Sequence, residues 1–131
     1  MGEAAVFISG GTSGINLGIA RGFARRGAPV LVFGRDGAKA DDAAARLRAE
    51  TGAQVMPGSA DVRDPAAVAD LLARSVAELG PPGVVIAGAA GNFIAPATGI
   101  SANGFRTVVE IDLLGTYNVF SRVRKKASVF R

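Results

Sequence analysis

The seven residues Ser9-Gly10-Gly11-Thr12-Ser13-Gly14-Ile15 hold three glycines and three hydroxyls and no acid. Such a stretch can bring backbone N–H groups against an anion. Gly10 permits a tight bend, Gly14 lets main chain approach a diphosphate, and a helix starting there aims unpaired N–H groups and its positive dipole end at the charge. The rival phosphate cradle, a P-loop, needs Gly-Lys followed by Ser or Thr. Here Gly14 is followed by Ile15, so the P-loop is excluded. A glycine turn that merely joins two elements is the other reading, and the surrounding pattern must decide. Arg35, Asp61, Asp112 and Tyr117 are further side chains with chemical potential. The chain has no cysteine and no histidine, which excludes disulfides, thiolate zinc sites and imidazole acid/base chemistry; no metal site is expected.

The elements that would position these residues alternate between short apolar runs and helical stretches. Ala4–Ser9 reads as a first strand, followed by the glycine turn. A helix over about Ile15 to Arg26 carries Ile15, Ile19, Gly22 and Phe23 on one stripe; Gly27 and Pro29 end it. Pro29–Phe33 is a second strand, and Ala38–Glu50 an alanine-rich helix closed by Gly52. Ala53–Met56 is a third strand. Asp64 caps the next helix with Pro65 at its first position, and Val68, Leu71, Leu72 and Leu79 form its stripe. Gly80-Pro81-Pro82 stops that helix. Val84–Ala87 is a fourth strand, a long helix runs from about Asn103 to Lys126, and Ser128 to Phe130 begins a partial fifth strand. Strands apolar throughout are covered by helices on both faces. Repeated βα units with right-handed crossovers then give an α/β fold: a Rossmann-like, doubly wound parallel sheet of order 3-2-1-4. Its ligand crevice opens at the carboxyl end of strand 1. In that context the glycine turn reads as a dinucleotide cradle. Residues 1–131 form one nucleotide-binding domain.

Length and composition agree. The 131 residues suffice for one core, and 49% hydrophobic with 20% charged residues is a globular balance. The net charge of +4 raises a nucleic-acid reading. The basic residues are scattered, however, from Arg25 and Arg26 through Arg46 and Arg48 to Arg122, Arg124, Lys125 and Lys126, without interleaved aromatic platforms. Solvated helix faces explain them better, and no nucleic-acid partner is expected. No run reaches the ~18 apolar residues of a membrane span, the apolar start lacks a basic leader, and a cytoplasmic location is expected.

An NAD site places a carboxylate at the end of strand 2, for the ribose 2′-hydroxyl. Here Gly34 stands there and Arg35 follows. A guanidinium binds a 2′-phosphate bidentately and stacks on adenine, so the expected cofactor is NADP(H). Asp36 fits as the next helix's N-cap.

The glycine turn resembles the Thr-Gly-x-x-x-Gly-x-Gly signature of the short-chain dehydrogenases/reductases, with Ser9 for the threonine and Asn16 for the last glycine. The resemblance implies that Gly10, Gly11, Thr12, Ser13, Gly14 and Ile15 hold the diphosphate. It also implies that Asn16 fills space where the family brings cofactor and helix together, weakening affinity. Asp61-Val62 is similar to the adenine contact, and Ala87-Gly88-Ala89-Ala90 to the Asn-Asn-Ala-Gly region, so Ala89 and Ala90 would meet the cofactor. Ala87 and Gly88 stand where side-chain amides are common. The string Ala89 to Phe93, with Ile111 to Asn118, resembles the 2,4-dienoyl-CoA reductase branch. On that likeness Gly91, Asn92 and Phe93 line an acyl-CoA site.

Asp112 falls where the family has its catalytic-site asparagine. Its spacing is informative by itself, because Phe105, Val109, Asp112, Thr116, Phe120 and Val123 share one face of a regular helix. A carboxylate there needs a partner, which makes it a site residue or an N–H acceptor locking a neighbouring loop. A rotated helix that exposes it is the alternative. The family's proton donor is a tyrosine with lysine four positions on; here Ser121 stands four positions after Tyr117, and no lysine is suitably placed. The likeness therefore covers the N-terminal, cofactor-binding half of a full member, with a strand 4 edge left open. It implies an NADP(H)-dependent oxidoreductase, acting on an enoyl-CoA or another carbonyl or alcohol substrate, whose present chain is inactive alone, with a homo-oligomer formed through the long helix. A non-catalytic nucleotide-binding or scaffold fragment is the alternative.

Overall fold

A computed structural model describes residues 3–126. Strand β1 (Ala5–Ser9) lies beside β2 (Val30–Gly34), which lies beside β3 (Val55–Ser59); β4 (Pro82–Ala87) flanks β1 on its other side. All three pairings are parallel, and the order is β3-β2-β1-β4. The order expected from the sequence is the one found.

β1 is buried along its whole length, yet its side chains still divide by period two. Val6 and Ile8 join Val30, Val32 and Val55 in one core, against Ala20 and Ala24 of α1 (Gly14–Arg25) and Ala43, Ala44 and Leu47 of α2 (Gly37–Thr51). Phe7 joins Leu31, Phe33 and Met56 on the other face, against Val68, Leu71 and Leu72 of α3 (Pro65–Leu79). The small residues of α1 and α2 let those helices lie close to the sheet. The caps follow the sequence: Asp36 Oδ1 accepts from Lys39 N at 3.1 Å, and Asp64 Oδ1 accepts from Ala66 N and Ala67 N at 3.1 Å.

Four expectations need correcting. The third strand starts and ends later than expected and runs on through Pro57 and Gly58 to Ser59. β3 is the sheet edge, where a proline's missing N–H leaves no ladder bond unmade. β4 begins two residues earlier than expected, at Pro82. The stripe of α1 is rotated: Ile15 is 84% exposed and Gly22 is exposed, while Ala20 and Ala24 are buried with Leu17, Ile19 and Phe23 beside them.

The fourth concerns the long helix, which is not one regular helix. It consists of α4 (Ala102–Val108), a π-helical stretch over Val109–Leu114, and α5 (Gly115–Lys126). A π turn takes more residues than an α turn and so changes which side chains face the core. Phe105 and Phe120, expected inside, are exposed, while Gly115 and Val119 are buried and Ile111 and Val123 pack on the core. Asp112 is exposed. The expected fifth strand at Ser128 to Phe130 lies outside the described residues. Among the described residues β4 has no partner on its outer edge, and Val84 is exposed. No described helix is long and apolar enough to cross a membrane.

Candidate functional site

At the carboxyl ends of the strands a cleft of about 450 Å³ opens between the turn after β1, the end of β2 and the loop after β4. Topology dictates its place: α1, which follows β1, packs on one face of the sheet, while the π-helical stretch and α5, which come after β4, pack on the other, so the loops after β1 and β4 diverge and leave a gap.

The turn after β1 forms one wall. Gly10 and Gly14 have φ of +66° and +59°, conformations that L side chains rarely adopt. At Gly10 space is restrictive as well, since an added Cβ would lie 2.9 Å from Gly88 C, Gly88 O and Ala89 N. The turn and the loop after β4 touch, backbone to backbone. Gly10 N donates to Phe33 O at 2.8 Å, tying the turn to β2.

α1 begins differently from its two sister helices. Asp36 and Asp64 cap α2 and α3, whereas Ser13 at the N-cap of α1 makes no side-chain cap bond, and the first turn holds no acid. The leading N–H groups of a helix have no partner inside it, and here the positive dipole end is not offset by a carboxylate. Thr12, Ser13 and Asn16 line the cleft beside it.

At the β2 end the cleft is lined by Gly34, Arg35, Asp36 and Lys39. The Asp36 carboxylate is engaged as a cap, so two cations flank one occupied anion. Ser59 Oγ donates to Arg35 O at 3.1 Å and fixes the backbone that carries the guanidinium. A Cβ at Gly34 would meet nothing closer than Thr12 Oγ1 at 3.8 Å. A side chain would fit there, so the missing carboxylate is a matter of chemistry and not of space.

Ala60, Asp61 and Val62 form the third side. Asp61 carboxylate oxygens accept from Arg63 N at 3.0 Å, Arg63 Nε at 3.0 Å and Arg63 Nη2 at 2.7 Å. The Arg63 guanidinium holds the Asp61 carboxyl below its ordinary value, against a smaller opposing effect of burial. Asp61 is thus anionic and oriented at the cleft rim.

The loop after β4 closes the remaining side with Gly88, Ala89, Ala90 and Gly91. Ser9 Oγ accepts from Gly88 N at 3.1 Å and Ala89 N at 3.3 Å. Asn16 Nδ2 donates to Gly88 O at 3.1 Å. The π turn presents Asp112, whose Oδ1 accepts from Gly91 N at 2.8 Å. A Cβ at Gly91 would strike Ile111 Cδ1 at 2.7 Å, so loop and π turn are in close contact.

Of the residues singled out from the sequence, Gly10, Thr12, Ser13, Arg35, Asp61, Val62, Ala89, Ala90 and Gly91 line this one cleft. Gly11 is buried beneath the turn against Ile8. Gly14 and Ile15 begin α1 at its edge, with Ile15 turned to solvent. Asn92 and Phe93 lie further along the exposed loop, Phe93 stacking over Gly104. Tyr117 is exposed on the outer side of α5. Sequence reasoning missed Lys39 as a cleft residue. Its spacing of four from Arg35, across an aspartate cap, was the available signal. The Asn16 contact had none, because its partner is 72 positions away.

A doubly wound sheet with an uncapped glycine turn at its switch point, and cations at the end of β2, defines a nucleotide-binding α/β protein. The chain belongs to the short chain dehydrogenase family, whose pattern matches residues 4–127. It is 44% identical over 120 residues to the peroxisomal 2,4-dienoyl-CoA reductase of mouse, a match covering 92% of this chain and 41% of that protein. Among solved structures, a short chain dehydrogenase from Bacillus anthracis is 32% identical with a TM-score of 0.85, over 94% of this chain and 51% of the other. An actinorhodin polyketide ketoreductase solved with NADPH is 28% identical with a TM-score of 0.88, over 94% and 47%. The chain therefore spans about two fifths of the mouse relative and about half of the solved chains.

Proposed function

We propose that residues 1–131 form one NADP(H)-binding domain of an oxidoreductase acting on an enoyl-CoA. The observation that carries the reading is the contrast at the helix starts: α1, facing the cleft, has neither cap nor acid, while α2 and α3 are capped by aspartates. An anion is the missing partner. The residues fit a dinucleotide. Gly10 to Ile15 hold the diphosphate, Arg35 with Lys39 holds the 2′-phosphate, and Asp61 accepts from the exocyclic amine of adenine beside Val62. The backbone of Ala89 and Ala90 lies against the nicotinamide half. When bound, NADPH supplies a hydride. Gly91, Asn92 and Phe93 receive the acyl-CoA, and Asp112 orders that loop through the Gly91 N–H. The likeness to the mouse dienoyl-CoA reductase and to the NADPH-bound ketoreductase supports the choice of substrate and cofactor.

No residue of this chain matches the family's Tyr–Lys pair, so the chain alone binds cofactor without turning it over. The test is calorimetry with NADPH and NADH, beside an assay of NADPH oxidation with a dienoyl-CoA. Tighter binding of NADPH with no oxidation is expected. Equal affinity for both cofactors removes the role given to Arg35, and turnover refutes the predicted inactivity.

A second reading, a non-catalytic scaffold, is favoured by the band of exposed Phe105, Leu113, Leu114, Tyr117 and Phe120 on the long helical run. Such a band suits a homo-oligomer, a partner compatible with the leading reading too. Failure to bind either cofactor, with a dimer in sedimentation, would favour the scaffold. The cytoplasm remains the proposed compartment; the peroxisome in the mouse relative's name is the rival, and imaging of a tagged chain separates them.

A further inference from the structure

Asn16 and Gly88 each depart from what the family signature leads one to expect, and each taken singly reads as a loss. In the fold they meet. Asn16 sits in the first turn of α1 and Gly88 directly follows β4. The Asn16 amide donates to the Gly88 carbonyl at 3.1 Å, partly buried. A Cβ added at Gly88 would collide with Asn16 Nδ2 and lie 2.7 Å from Asn16 Cγ and 2.8 Å from Asn16 Oδ1.

Gly88 is not among the glycines with positive φ. Its backbone conformation is open to any residue, so the turn does not demand glycine; the amide of Asn16 does. The rest of the Gly88 peptide is equally committed. Its N–H donates to Ser9 Oγ at 3.1 Å and to Ser9 O at 3.2 Å. An added Cβ at Gly10 would approach Gly88 C and O at 2.9 Å. β1 therefore holds the N–H of residue 88, and α1 holds its carbonyl. Removing the Asn16 amide leaves a partly buried acceptor without its donor.

We infer that Asn16 and Gly88 are one coupled unit: the side-chain amide on α1 pins the loop over 88–91 at the cleft wall, and bare backbone at 88 is the space that amide occupies. Asn16 is a positioning residue. It acts on the loop that carries Ala89, Ala90 and Gly91, three residues that line the cleft. The loop after β4 thus takes its amide from the helix opposite and not from its own side chain. The inference rests on the proposed function only in naming NADPH as what the positioned loop meets.

A double-mutant cycle in the full chain tests it, using Asn16→Gly, Gly88→Ala and the double variant. NADPH affinity is measured by calorimetry well below the unfolding temperature, and urea unfolding without cofactor is followed in parallel. Gly88→Ala beside an intact Asn16 should weaken NADPH binding about tenfold, Asn16→Gly should weaken it as well, and adding Gly88→Ala to Asn16→Gly should cost little more, since the amide it would strike is already gone. Asn16→Asp keeps the shape but loses the donor, so it should weaken binding and should not rescue Gly88→Ala. Additive effects in both the affinity and the unfolding cycles overturn the pairing. If Gly88→Ala does not fold, Asn16→Gly and Asn16→Asp decide, and unchanged affinity and unfolding in both overturn it. If the unsubstituted chain binds no NADPH, the proposed function falls, while the unfolding cycle still decides the pairing separately.

Discussion

Replacing Gly10 and Gly14 by alanine, one at a time, separates two demands that the glycine turn makes of its residues. Both have left-handed φ, +66° and +59°, and an L residue held there costs about 1–2 kcal/mol. At Gly14 an added Cβ has no neighbour within 4 Å, so strain alone acts. At Gly10 the same atom would sit 2.9 Å from three backbone atoms of Gly88 and Ala89. Main chain cannot rotate away as a side chain tip does, and overpacking adds about 1–3 kcal/mol. The totals are then about 1–2 kcal/mol for Gly14→Ala and about 2–5 kcal/mol for Gly10→Ala. For a chain of this size each kcal/mol lowers Tm by roughly 3–5 °C. The expected losses are therefore roughly 3–10 °C for Gly14→Ala and roughly 6–25 °C for Gly10→Ala. Thermal unfolding followed by circular dichroism, with no nucleotide added, reads both. Equal shifts for the two variants would show that the turn and the loop after β4 do not touch, and the cleft as described would be wrong.

Three further perturbations probe the cleft rim. Arg35→Ala should weaken NADPH binding by roughly 10–100-fold, the worth of a charge-assisted contact of about 1.5–3 kcal/mol, and leave NADH binding unchanged; a parallel loss for both cofactors would place Arg35 elsewhere. Asp61 has a folded pKa below its ordinary value of 3.8, so its ion pair with Arg63 stabilises the fold above that pH and is lost as acidification passes below it. Asp61→Asn should then lower the urea midpoint at pH 7 by an amount worth less than about 1 kcal/mol, because the pair is partly exposed, and the two proteins should converge in acid. A gap that widens on acidification contradicts this. Asp112→Ala removes the acceptor of the Gly91 N–H, so hydrogen exchange at Gly91 should accelerate; an unchanged rate would mean that the π turn does not hold the loop.

Local chemistry made much of this fold legible. Asp36 and Asp64 cap helices by rules that act within three residues, and strands apolar on both faces pointed to helices above and below. The order of the sheet followed once the alternating βα units were read as a Rossmann-like, doubly wound sheet. What local chemistry did not carry was anything set by a partner distant in sequence. Pro57 and Gly58 look like a turn until β3 is known to be the edge strand. Ile15 looks like core until α1 is seen to rest on Ala20 and Ala24. The spacing that put Asp112 on an apolar face assumed a regular helix, and the π turn at Val109–Leu114 rotated that face toward Gly115 and Val119. The Asn16–Gly88 pair is the extreme case, since each residue taken singly reads as a defect.

In the proposed function the N–H groups at the start of α1 receive a dinucleotide's diphosphate. Adding NADPH to ¹⁵N-labelled protein while following amide resonances tests this directly. The predicted result is saturable shifts at Ser13, Gly14 and Ile15, with further shifts at Arg35 and Asp61. Saturation with those five unmoved, or shifts confined to the exposed face of α4 and α5, would contradict it.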